Sequence, residues 1–116
     1  MADMRVFKNA WFERFARKQG ISNKSLWAAI QRAEQGLVDA DLGGGVIKQR
    51  VAREWQGKSA GYRIIVLYRT AERAFFVYGF AKSDRSNIDS GEETQFKKAA
   101  AHVLGLSDAY LAELVG

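Results

Sequence analysis

Cysteine and proline are both absent from this 116-residue chain, and histidine occurs once. Without cysteine there is neither a disulfide framework nor a thiolate metal site, and a lone His102 is a poor basis for a zinc centre. The carboxylates show no pairing suited to magnesium or to glycoside hydrolysis. No metal and no other cofactor is therefore expected. No stretch approaches the roughly 20 apolar residues of a bilayer span. The start of the chain lacks the apolar core of a secretory leader, because Asp3, Arg5 and Lys8 interrupt it. A cytoplasmic protein with no membrane contact is the expectation.

What is present is a core and an excess of positive charge. Hydrophobic residues make up 47% and aromatics 12%, enough for one packed interior, so a single domain over residues 1–116 is expected. Net charge is +5, from 18 Lys and Arg against 13 Asp and Glu. The excess is concentrated in the middle. From Val46 to Arg85 there are nine bases and three acids, a local charge of +6, whereas residues 86–116 carry two bases and five acids, or −3. So positive a segment favours a polyanionic partner, nucleic acid first.

The hydrophobic pattern divides the chain into an order of elements. Arg5 to Lys8 fits a short strand. Asn9 is placed to cap a helix from Ala10 to about Lys18 that Gly20 closes. A second helix is predicted from about Asn23 to Gln35, with Leu26, Trp27, Ile30 and Ala33 at helical spacing and Gly36 as its stop. Gly43, Gly44 and Gly45 break the pattern. Val46 to Ala52 then alternates, with Ile47 and Val51 facing one way and Lys48 and Arg50 the other. Tyr62 to Arg69 and Ala74 to Ala81 are rich in β-branched and aromatic residues and are joined by a tight connection, which predicts an antiparallel hairpin. Both strands are apolar on both faces, so the sheet should be covered on each side at least in part. Ser90 and Glu93 have capping-box spacing ahead of a helix that Gly105 ends, and Ser107 can start a last one. The order gives an α+β fold, a small antiparallel sheet with two N-terminal helices packed on it and a C-terminal helical segment.

The basic residues gather by position. Lys48 and Arg50 share a strand face, Arg63 opens the next strand after the loop holding Lys58, and Lys82 ends the third, followed by Asp84 and Arg85. Antiparallel pairing can bring Arg63 beside Lys82. Cations crowded at one end of a sheet repel, and an anionic ligand is what would explain them. The run around Lys58 lacks P-loop spacing, so it is not a nucleotide cradle.

Three stretches carry a family resemblance: Gly44-Gly45-Val46-Ile47-Lys48-Gln49-Arg50-Val51-Ala52-Arg53, Gly57-Lys58-Ser59-Ala60-Gly61-Tyr62-Arg63, and Val77-Tyr78-Gly79-Phe80-Ala81-Lys82-Ser83-Asp84. Together they resemble the HigB branch of the RelE/ParE toxins of type II toxin–antitoxin systems. The resemblance implies a RelE-like fold, ribosome-dependent cleavage of mRNA and neutralisation by a cognate helix-turn-helix antitoxin. The chain departs from the family at Ala60, where glycine is usual; a positive φ there would strain the loop.

RNA carries its own nucleophile, the 2′-hydroxyl, so an enzyme must orient its attack, move two protons and neutralise the phosphorane oxygens. Arg50 and Arg63 suit the last task because guanidinium offers forked donors to phosphate. Lys48 and Lys82 are the candidates to take the proton. Arg53, Lys58, Tyr62 and Arg85 are candidate RNA contacts, with Tyr62 or Trp55 as a stacking surface for a base. Tyr68 and Tyr78 fit core positions better than catalytic ones. Arg69 and Arg73 read as solvated surface or general RNA contacts, and Asp84 as a partner for Arg85. Two other functions stay open on the same residues: a ParE-like inhibitor of DNA gyrase that cuts nothing, and a non-catalytic nucleic-acid-binding module.

Overall fold

The computed structural model describes residues 4–52 and 61–106. Its elements run β1 (Arg5–Lys8), α1 (Ala10–Gln19), α2 (Asn23–Glu34), β2 (Ala40–Gly43), β3 (Val46–Val51), β4 (Tyr62–Arg69), β5 (Arg73–Ala81) and α3 (Ser90–Val103). The strands form one five-stranded sheet in the order β1-β5-β4-β3-β2. β2 to β5 are an antiparallel meander, and β1 joins β5 in parallel, so the sheet is mixed.

The predicted helix starts and stops rest on real hydrogen bonds. Asn9 Oδ1 accepts from the Phe12 amide at 2.7 Å, and Gly20 closes α1 in the left-handed region at φ 72°. Ser22 caps α2 through the Ser25 amide. The start of α3 differs from expectation. Its cap is Asp89, whose Oδ1 accepts from the Glu92 amide at 2.7 Å while Glu92 Oε1 accepts from the Asp89 amide at 2.9 Å. Ser90 is thus the first helical residue, because aspartate one position earlier offers the same reciprocal geometry with a carboxylate. The helix expected from Ser107 lies outside the described residues.

β2 is the element that the sequence pattern does not reveal. Its Ala-Asp-Leu-Gly sequence has little β-propensity, and it is a strand because β3 offers it an edge. The two are joined through Gly43, Gly44 and Gly45, all at positive φ. At Gly45 a side chain would also collide with Leu104.

Alternation along the strands sorts the interior into two layers. Ile47, Val51, Tyr62, Ile64, Val66, Ala74 and Phe76 face α1 and α2, packing on Phe12, Leu26 and Ile30. Val46, Ile65, Leu67 and Phe80 face the other way, with Ala100 of α3 and Ile88. This is the two-sided cover expected of strands apolar on both faces. Gly79 lets the ring of Phe15 approach the backbone of β5 where any Cβ would clash. Gln49 sits wholly inside, with its amide donating to Ala29 O at 2.9 Å and Leu37 O at 3.3 Å and accepting from the Asp39 amide at 2.7 Å. It ties the end of α2 to the sheet.

Candidate functional site

Register places the cations. Arg50 on β3 lies opposite Arg63 on β4, and Arg63 lies opposite Phe80 on β5. One row inward, Lys48 pairs with Ile65, which pairs with Tyr78. Lys82 follows β5, and its amide donates to Gly61 O at 3.2 Å, two residues from Arg63 in register. Since Ile47, Val51, Tyr62 and Ile64 face α1 and α2, strand alternation turns Lys48, Arg50 and Arg63 to the α3 face. Three of the four catalytic candidates therefore share one face at one end of the meander, and Lys82 adjoins them.

Their surroundings are short of counter-charge. Among the described residues none of Lys48, Arg50, Arg63 and Lys82 pairs with a carboxylate, whereas Arg17, Arg32, Arg69, Arg85 and Lys97 do. Arg63 is half-buried, and its Nη1 is enclosed without any hydrogen-bond partner. A buried donor left unmade costs about 1–3 kcal/mol, more when charged. Arg50 and Arg63 face each other as like charges, which is also unfavourable. Beside Arg50 a groove of about 440 Å³ opens between α2 and the end of β3, with Ser25, Arg32 and Asp39 in its wall.

The segment after β5 is held by Arg85. Its guanidinium makes a forked pair with Glu92 at 2.6 and 3.1 Å, donates to Tyr78 Oη at 3.0 Å and to Asn87 O at 2.9 Å, and lies over the Phe80 ring. Glu92 holds the Arg85 guanidinium's pKa above its ordinary value, and Arg85 in turn pulls the Glu92 carboxyl below its own. Arg85, expected as an RNA contact, is thus engaged inside the protein. Asp84 is not its partner; Glu92 is, because α3 brings a carboxylate that the sequence separates by seven residues. Asn87, which the sequence did not single out, accepts from Lys48 Nζ at 3.0 Å.

Other candidates fall elsewhere. Tyr62 is 3% exposed, on the α1 face of the sheet, and its hydroxyl donates to Gln19 Oε1 at 3.2 Å, so it faces away from Lys48, Arg50 and Arg63. Arg53, Trp55, Lys58 and Ala60 lie outside the described residues. Arg73 is not solvated surface: it is 5% exposed and donates to Val103 O at 3.2 Å and Leu106 O at 2.6 Å. Arg69 donates to Leu104 O at 2.9 Å while pairing with Glu72. Both serve the carbonyl end of α3, where the helix dipole favours cations. Tyr68 also has a structural role, bonded to Glu34, and burial together with that carboxylate pushes its hydroxyl up to about 12. Tyr78 stands on the site face, stacked on Trp11 at 4.7 Å. Among the described residues no group of His, Asp and Glu could hold a metal ion, and no helix is long and apolar enough to cross a membrane.

Among the described residues, a mixed five-stranded sheet with α1 and α2 on one face and α3 on the other is consistent with a RelE-like fold. Residues 4–116 match the family described as the RelE toxin of the RelE / RelB toxin–antitoxin system, and the chain belongs to that family. Among curated proteins none matches it in sequence.

Proposed function

We propose that this toxin is a ribosome-dependent endoribonuclease of the HigB-like branch, working on mRNA without a metal ion. The observation that carries the reading is the enclosed, unpartnered Nη1 of Arg63, set opposite Arg50 at the cationic end of the sheet. A protein keeps such a group at a cost to stability when an anion completes it. In this reading the 2′-oxygen of one nucleotide forms a bond to the adjacent phosphorus as the bond to the 5′-oxygen breaks. Lys48 or Lys82 takes the 2′-hydroxyl proton, a second protonated group supplies one to the departing 5′-oxygen, and Arg50 and Arg63 neutralise the phosphorane. The products are a 2′,3′-cyclic phosphate and a 5′-hydroxyl. Guanidinium thereby does the charge neutralisation that a metal performs in other nucleases.

Arg53 and Lys58 remain proposed RNA contacts, and a cognate helix-turn-helix antitoxin the proposed neutralising partner. The surfaces available to that partner include the cationic end of the sheet, which an acidic segment would cover. The test is cell-free translation of a reporter message with the protein added, followed by primer extension. Discrete cuts that vanish when translation is blocked support the reading. An intact message, combined with loss of gyrase supercoiling in a parallel assay, would replace it with a gyrase inhibitor on the same fold.

A further inference from the structure

Lys48 stands on β3 and Asn87 lies in the segment between β5 and α3, so the hydrogen bond between them, at 3.0 Å, ties that segment to a strand 39 residues away in sequence. Asn87 is itself fixed at both ends. Its Oδ1 also accepts from the Ile88 amide at 2.9 Å, which identifies that atom as the oxygen, since a backbone amide only donates. Its carbonyl accepts from Arg85 Nε at 2.9 Å. Arg85 is in turn clamped by Glu92, and Glu92 closes the capping box with Asp89. Next to Asn87, Ile88 anchors the segment in the core beneath α3. A chain of bonds thus runs from the first turn of α3 to the ammonium of one catalytic candidate.

We infer that Asn87 is a positioning residue for the proposed reaction, holding Lys48 over the sheet beside Arg50 and Arg63. This rests on the nuclease reading. A lysine has a long flexible stem, and an Nζ free to sample its rotamers spends little time at one reacting atom. An acceptor on one side fixes where Nζ lies. The remaining valences of Nζ are then directed away from Asn87. The neutral amide suits the task, because a carboxylate at the same point would compete with phosphate for the cations.

Two measurements test it. Competitive acetylation read by peptide mass spectrometry reports the contact without any need for activity: in Asn87→Ala, Lys48 should react several-fold faster while Lys97 and Lys98 do not change. Equal Lys48 reactivity in both proteins would overturn the contact. Cleavage kinetics in the translation assay report the role. Asn87→Ala should lower kcat roughly ten- to hundred-fold with little change in KM. In the Lys48→Ala background the same substitution should do nothing further, because its target is gone. An equal loss in both backgrounds, or a loss matched by a fall in Tm, would reduce Asn87 to a residue that merely shapes the turn. Wild-type protein that cuts no message ends the nuclease reading itself, and it is told apart from failure of Asn87 by being seen before any substitution is made.

Discussion

Arg63 is the residue at which stability and the proposed activity pull apart. Its guanidinium is partly enclosed, one nitrogen has no partner, and Arg50 faces it across the strands. Replacing it with methionine keeps the stem's packing and removes the unsatisfied charge. Chemical denaturation should then show a gain of about 1 kcal/mol, while mRNA cleavage should fall by about 10²–10³. A loss of stability would show that the guanidinium is satisfied in solution, and cleavage at the wild-type rate would remove it from the site. Ala71 is a second residue with a legible cost. It holds φ at 61° in the connection from β4 to β5, where its amide donates to Glu34 at 3.1 Å. Ala71→Gly keeps that amide and relieves the left-handed strain, so denaturant midpoints should rise by an equivalent of about 0.5–1 kcal/mol. At this scale the sequence disclosed which side chains were cationic. It could not disclose that Arg73 would be consumed by helix carbonyls, or that Arg85 would bind Glu92.

Among elements, the behaviour of α2 and α3 depends on single polar ties. Gln49 alternates with Ile47 and Val51 on the core side of β3, so periodicity would admit leucine there. The amide instead satisfies two carbonyls and one amide of neighbouring segments. Gln49→Leu should cost about 2–4 kcal/mol despite being more apolar, because those groups stay buried without partners. Thermal or denaturant melts would show it, and a neutral result would mean that water replaces the side chain. At α3, Arg85 depresses the pKa of Glu92, so the folded carboxylate titrates below its ordinary value of 4.5. The clamp therefore contributes fully above that value and is lost as pH falls through the lower, folded one. Amide exchange in residues 84–89 should accelerate at acid pH, as the medium falls below the ordinary carboxylate value and through the depressed one, before the sheet opens. In Glu92→Gln that early step should be absent, with fast exchange already at neutral pH. Element starts were legible where a capping side chain preceded an apolar period. β2 was not, since an Ala-Asp-Leu-Gly segment becomes a strand only beside a partner edge.

For the molecule as a whole, charge concentrated at one end of a twisted sheet leads to a measurable dependence on salt. If Lys48, Arg50, Arg63 and Lys82 each meet a phosphate of single-stranded RNA, the logarithm of affinity should fall against that of salt with a slope near −3. Removing Arg63 should make the slope shallower by nearly one, and Lys98, on α3, should leave it unchanged. A slope insensitive to Arg63 would place the RNA on another surface. The same end of the sheet is also built from several separate stretches of chain. β3, β4, the segment after β5 and the first turn of α3 all meet there, and only pairing register decides which of their side chains are neighbours.

Composition and periodicity were sufficient, by themselves, for the class of fold, the two N-terminal helices and the strand alternation that puts Lys48 and Arg50 on one face, while three short motifs carried the family that the chain resembles. Those are properties of adjacent residues, set by capping, by the 3.6 and 2.0 residue periods and by local charge. Tertiary structure alone decided that β1 joins the sheet in parallel, that β2 exists, that Tyr62 points into the core, that Asn87 meets Lys48 and that Glu92 meets Arg85. Those outcomes depend on contacts between residues far apart in sequence, formed only when the layers close, and no local period encodes them.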